Sequence, residues 1–137
     1  AIASEDATFC TPGVNIGAFC TTPLVGIGRN LSRKHALEMA LTGDQFDAAT
    51  AERFGLINRS VPASKLEQAT EELANKIASR SAESIARGKS AFYQQVEMPL
   101  DKAFELANQV MRDNLTSEGD AKEGIGAFLE KRDPEWG

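Results

Sequence analysis

Between Ser32 and Pro62 the chain carries stop and start signals so closely spaced that its backbone has few alternatives. Ser32 can cap a helix, because its hydroxyl can accept from an otherwise unpaired N–H of the first turn. Leu37, Ala40 and Leu41 then recur at helical spacing. Gly43 closes that segment, since glycine reaches left-handed backbone angles without a Cβ penalty. Asp47 can cap the next one, in which Ala48, Ala51 and Phe54 form one apolar face and Gly55 is the stop. Leu56 to Val61 turns β-rich, and Pro62 ends the run because it has no N–H for a ladder. The expected order is helix, helix, strand.

Ahead of that stretch, Ala1 to Ala3 reads as the tail of a strand already under way, a segment that needs partner strands. A processed or disordered leader would give such a start, but the reading adopted here is that a large N-terminal half is cleaved or not represented. Glu5 to Arg29 is rich in Gly, Thr and Pro. Short strands and tight loops are expected around Thr8-Phe9-Cys10, Val14-Asn15-Ile16-Gly17 and Val25-Gly26-Ile27-Gly28. Gly26-x-Gly28 lacks the third glycine of a dinucleotide fingerprint, so a nicotinamide cofactor is rejected.

After Pro62 the periodicity becomes helical. Ser64-x-x-Glu67 has the form of a capping box, and Leu66, Ala69, Leu73 and Ile77 follow as one apolar stripe. Ser81 can open another helix carrying Ile85, Lys89, Phe92 and Val96, with Lys89 extending its charge to solvent. Pro99 suits the start of a third, with Leu100, Ala103, Phe104, Ala107, Val110 and Met111 at three- and four-residue steps. Residues 118–130 read as a last, shorter helix with Ile125, Phe128 and Leu129 apolar. The expected organisation is a mixed α/β region over 1–62 and a helical region over 63–137.

Charge narrows the function. The net charge of −5, without a basic run, gives no phosphate counterion release, which disfavours nucleic acid. No apolar run approaches the ~20 residues of a membrane-spanning helix, so neither nucleic acid nor membrane is an expected partner. Cys10 and Cys20 are too few and too far apart for a zinc set or a disulfide framework, and they are read as reduced, buried small residues. No metal site is expected. The single histidine, His35, falls in the first helix and is read as a core or surface residue rather than a base.

Two motif groups in order carry a resemblance. The first is Leu41-Thr42-Gly43-Asp44, Ala48 with Ala51, Gly55-Leu56-Ile57-Asn58 and Val61-Pro62. The second is Glu123-Gly124, Ala127-Phe128 and Glu130-Lys131-Arg132. Together they resemble the enoyl-CoA hydratase/isomerase (crotonase) family over essentially the whole chain, but over only the second half of the family's usual length. Phe19-Cys20-Thr21-Thr22-Pro23 stands where many members have "PGAGG", and resembles a divergent branch of enoyl-CoA hydratase domain-containing proteins. The resemblance implies an α/β fold: the last turn of a ββα spiral, mostly helical with a few short strands. It also implies C-terminal helices that form a homotrimer, or a hexamer built as a dimer of trimers, and cover the active site.

It further implies an acyl-CoA thioester as substrate, no separate cofactor, lyase or isomerase chemistry in fatty acid metabolism, and a cytoplasmic or mitochondrial-matrix location. Hydration of a conjugated thioester needs paired N–H donors for the enolate oxygen and a carboxylate to move protons. In the family the donors and one glutamate lie in the N-terminal half. The second glutamate belongs to a motif resembling "F-G-x-P-E", matched here by Phe9-Cys10-Thr11-Pro12-Gly13, so the acid position is Gly13. Glycine can neither protonate a carbon nor activate water. It can also simply serve a turn after Pro12. The resemblance places Pro12, Phe128 and Lys131 on the substrate side. Lys131 would approach the CoA nucleotide of a neighbouring subunit, or it is a basic residue that favours the end of a helix dipole. Two functions follow as alternatives: an enoyl-CoA-processing protein with compromised proton chemistry, this segment alone being inactive, or a non-catalytic acyl-CoA-binding or oligomerisation module.

Overall fold

The computed structural model describes residues 1–116 and 118–137. They form two compact units, Ala1–Leu73 and Ala74–Gly137.

In the first unit, strand β1 (Ile2–Ser4) does find a partner. It runs parallel to β4 (Arg59–Val61), with Ile2 opposite Arg59, Ala3 opposite Ser60 and Ser4 opposite Val61. Parallel neighbours require a crossover, and here it contains three helices. β2 (Thr8–Phe9) pairs antiparallel with β3 (Phe46–Asp47). Between the strands lie a 3-10 turn at Pro12–Ile16, α1 (Thr21–Asn30), α2 (Arg33–Thr42) and α3 (Ala48–Phe54).

The caps follow the sequence signals. Ser32 Oγ accepts from His35 N–H at 3.3 Å and Asp47 Oδ1 from Thr50 N–H at 2.8 Å. Gly43 (φ 66°) and Gly55 (φ 86°) close α2 and α3 in the left-handed region. The core of this unit is Leu31, Ala36 and Met39 with Phe9, Leu24, Ile27, Phe46, Phe54 and Leu56 around them, continued by Ala48, Ala51 and Ile57.

Several sequence expectations are corrected. Val25–Gly28 is not a strand but the middle of α1, and Val14–Ile16 is the end of the 3-10 turn. Leu24, Ile27 and Leu31 share one face at helical spacing, and burying them outweighs the cost of two glycines, about 1 kcal/mol each. On α2 the buried face is Ala36, Met39 and Ala40, whereas Leu37 and Leu41 are exposed. Cys10 is exposed rather than buried. The chain enters α4 (Leu66–Ala78) through a 3-10 turn at Ala63–Lys65 that contains Ser64, rather than through a Ser64–Glu67 box.

The second unit contains α5 (Ala82–Gln95), α6 (Leu100–Thr116) and α7 (Asp120–Glu130), packed pairwise. Ser81 caps α5, its hydroxyl accepting from Ser84 N–H at 2.9 Å. The apolar residues buried here are small, Ala103 and Ala127, while Phe92, Leu100, Phe104, Met111, Phe128 and Leu129 are exposed. No helix among the described residues is long and apolar enough to cross a membrane.

Gly43 is constrained twice. Besides its positive φ, a Cβ built on it would stand 2.7 Å from Asn15 Oδ1 and 2.8 Å from Val14 Cγ2. Gly43→Ala is therefore expected to destabilise the fold by about 1–3 kcal/mol. The check is a urea titration in which the midpoint falls while the slope is unchanged.

Candidate functional site

The loop that carries Pro12 and Gly13 is fixed by α2. Two side chains of the loop donate to carbonyls at the C-terminal end of that helix, where Met39 O also accepts from Gly43 N–H at 3.3 Å. Thr11, itself buried, donates from Oγ1 to Met39 O at 2.7 Å, and Asn15 Nδ2 donates to Gly43 O at 3.2 Å. Pro12 starts the 3-10 turn, where its missing N–H costs nothing. Gly17, at φ 75°, reverses the chain, so that Ala18 N–H returns to Gly13 O at 2.9 Å.

Gly13 is half-buried in the turn. Its N–H donates to the thiol sulfur of Cys20 at 3.2 Å. The structure thus joins Pro12, Gly13 and Cys20, and the contact of Cys20 with Gly13 was not anticipated from the sequence. No carboxyl side chain hydrogen-bonds to this loop among the described residues. His35 is elsewhere engaged: its ring stacks on Phe54 with centroids 3.9 Å apart and planes within 7°. Its Nδ1 is buried without a hydrogen-bond partner.

Phe128 and Lys131 belong to the second unit, at the end of α7. Phe128 is 81% exposed. Lys131 adopts φ 58°, a left-handed conformation that normally favours glycine, and closes the helix by donating its N–H to Phe128 O at 3.3 Å. Its ammonium makes no ion pair or hydrogen bond among the described residues. The second unit carries two open grooves, each of about 360 Å³. One is lined by Leu115, Gly124, Ile125, Phe128, Leu129 and Trp136, the other by Gly88, Phe92, Leu100, Ala103 and Phe104.

The remaining residues of the closing motif build a clasp. Arg132 grips Glu123 with two parallel bonds, Nη1 to Oε1 at 2.6 Å and Nη2 to Oε2 at 2.9 Å, and its Nε reaches Glu130 at 2.7 Å. Glu135 N–H also donates to Glu123, at 2.9 Å. These bonds fold the C-terminal residues back along α7. Trp136 then donates from Nε1 to Ser79 O at 3.1 Å, and Gly137 N–H donates to Asp120 at 3.1 Å. Gly124 lies under the Trp136 ring, where a Cβ would come within 3.2 Å of it. Hydrogen bonds from the Arg132 guanidinium, then from Glu135 N–H, hold the Glu123 carboxyl down at about 2. Ser81 and then Gly137 hold Asp120 below the usual carboxylate range in the same way. No group of three or more His, Cys, Asp or Glu among the described residues could hold a metal ion.

This geometry belongs to a known class. The chain is a member of the enoyl-CoA hydratase/isomerase family, whose model matches residues 1–137. Among its relatives are the enoyl-CoA hydratase domain-containing protein 3, mitochondrial, of Rattus norvegicus and of Homo sapiens. They are 49% and 46% identical over 136 residues, which is 99% of this chain and 45% of each relative. The crystal structure of an enoyl-CoA hydratase from Mycobacterium smegmatis superposes with a TM-score of 0.95 at 41% identity, covering 99% of this chain and 52% of that one. The human domain-containing protein 3 superposes at 0.93, with 46% identity and 53% of that chain covered. The chain therefore spans about half the length of the relatives it matches. Its fold is α/β, part of the crotonase spiral, mostly helical with a few short strands.

The clasp makes a pH prediction. Because the folded pKa of Glu123 is depressed, its contribution is complete above the ordinary value of 4.5 and is lost as pH falls through about 2. Trp136 is the single tryptophan, so its emission reports the tail alone. Acidification is expected to shift that emission to the red below about pH 4.5, with completion near pH 2. Glu123→Gln is expected to show the shifted emission already at neutral pH. An unshifted variant would mean that the tail is held by Trp136 and Gly137 without the carboxylate.

Proposed function

We propose that this chain is the acyl-CoA-handling portion of an enoyl-CoA hydratase/isomerase-type protein whose proton chemistry is impaired. The observation that carries the reading is the acid position. Residue 13 is a glycine whose N–H is turned toward a thiol sulfur, and no carboxylate takes its place in the loop. Removing a positioned acid/base typically costs about 10²–10⁴ in rate. The whole protein would still bind and polarise a thioester through groups outside these 137 residues, in keeping with the family's division of labour. The name shared by its relatives supports a mitochondrial location. The expected result with the full-length protein is acyl-CoA binding by calorimetry, with hydration of a short enoyl-CoA slower than in competent members by the factor above. Hydration at a competent rate would overturn the reading.

A second reading, a non-catalytic acyl-CoA-binding or assembly module, is favoured by the exposed apolar face of the second unit, with Leu100 at 75% and Phe104 at 62% exposure. Contiguous apolar surface of this kind marks a partner site, and a homotrimer, or a hexamer of two trimers, fits it. Complete absence of turnover together with CoA binding would select this reading over the first.

Phe128 and Lys131 are proposed to meet the CoA nucleotide of a neighbouring subunit, the ring by apolar contact and the ammonium by attraction to phosphate. The unpaired ammonium and the left-handed backbone of Lys131 support this, because the residue tolerates a conformation that glycine would adopt more cheaply. Lys131→Gly is therefore expected to stabilise the fold by about 1 kcal/mol and to weaken acyl-CoA binding several-fold. Unchanged affinity in the stabilised variant would reduce Lys131 to a helix terminator.

A further inference from the structure

We infer that Cys20 seals position 13. Its thiol stands where any side chain at that residue would leave the backbone, so the chain can carry a carboxylate there only if residue 20 changes with it. The catalytic consequence rests on the reading of residue 13 given under Proposed function; the packing does not.

Gly13 is not a glycine for conformational reasons. The glycines with positive φ are 17, 43 and 55, and Gly13 sits in the 3-10 turn with angles open to any residue. Space is the constraint instead. A Cβ built on Gly13 would lie 2.8 Å from Cys20 Sγ, 3.1 Å from Ala18 O and 3.2 Å from Cys20 N. The sulfur contact is far inside van der Waals distance. The two backbone contacts are tight but within reach of a shift of a few tenths of an ångström.

The sulfur cannot withdraw freely. It accepts from Gly13 N–H, and a rotated thiol would leave that half-buried donor without its partner. Nor can the turn simply open, because Ala18 N–H is bonded to Gly13 O at 2.9 Å and Asn15 is bonded to Gly43 O at 3.2 Å. Removing the sulfur by Cys20→Ala takes away the one severe contact. It leaves the two that small relaxation can absorb. Cys20 is thus a positioning residue, acting through what it forbids at residue 13.

The test is a double-mutant cycle in the full-length protein. Gly13→Ala in the natural background is expected to lower Tm by several degrees, the penalty of overpacking. In the Cys20→Ala background the same change should cost clearly less. Equal losses in both backgrounds overturn the inference. Gly13→Glu is then assayed for short enoyl-CoA hydration in both backgrounds. In Cys20→Ala its kcat should exceed that of Gly13→Glu alone by about tenfold or more, with KM little changed, since binding groups are untouched. Measurable hydration with equal kcat in the two backgrounds also overturns it. Should the Tm coupling be present while neither glutamate variant hydrates, the seal stands and the assignment of residue 13 as the acid position falls. If Gly13→Glu does not fold, the alanine cycle decides alone.

Discussion

The end of α2 sets the geometry on which the candidate site depends. A helix that terminates inside a protein must find donors for its last carbonyls, and an unpaired buried carbonyl costs about as much as a lost hydrogen bond. Here Asn15 donates to Gly43 O and Thr11 adds a second donor to Met39 O beside Gly43 N–H, so that the loop is tied to the helix end through both of its own ends. Everything between them inherits the constraint. Gly43 is held to glycine by its positive φ and by Asn15 and Val14, which stand where a Cβ would go. Pro12 and Gly13 are held in a 3-10 turn, and Gly17 brings the chain back toward Cys20. The candidate acid position is thus fixed by helix-end hydrogen bonding before any catalytic demand is made of it.

The two units use their apolar residues differently. In the first, large side chains such as Met39, Leu31 and Ile57 are buried, and Phe9 and Leu56 pack against both clusters of the core. In the second, α5, α6 and α7 touch through small residues, and most of the large ones remain on the surface. Alanine at a helix contact allows close approach but buries little area, at roughly 25 cal/mol per Å². Directional contacts in that unit include the Arg132–Glu123 pair and the Trp136 anchor, which hold the C-terminal residues along α7. Glu123, Gly124 and Arg132, motif residues of the family, take part in this clasp, and Lys131 closes α7 beside it.

How far the sequence could be read depended on the range of the interaction. Caps at Ser32, Asp47 and Ser81 and stops at Gly43 and Gly55 were legible because each is decided within four residues. The helix at Thr21–Asn30 was misread because its glycines, threonines and proline signal turns. The spacing of Leu24, Ile27 and Leu31 was the signal that could have found it. On α2, the choice of Ala36 and Met39 over Leu37 and Leu41 as the inward face could not be made from the pattern, since both sets fit a helical period. Burial was settled by where Phe9, Phe46 and Phe54 arrived.

By itself, then, the sequence determined the helices with local caps, the family through its two motif groups, and the absence of an acid at residue 13. These are properties of residue identity and of short spacing, which no packing can alter. Only the tertiary structure decided why residue 13 is glycine, that Asn15 and Thr11 hold its loop, and that Trp136 closes the second unit. Those depend on atoms brought within about 3 Å of one another from distant parts of the chain. Steric exclusion and hydrogen bonding act at that distance, and periodicity in one dimension does not record it.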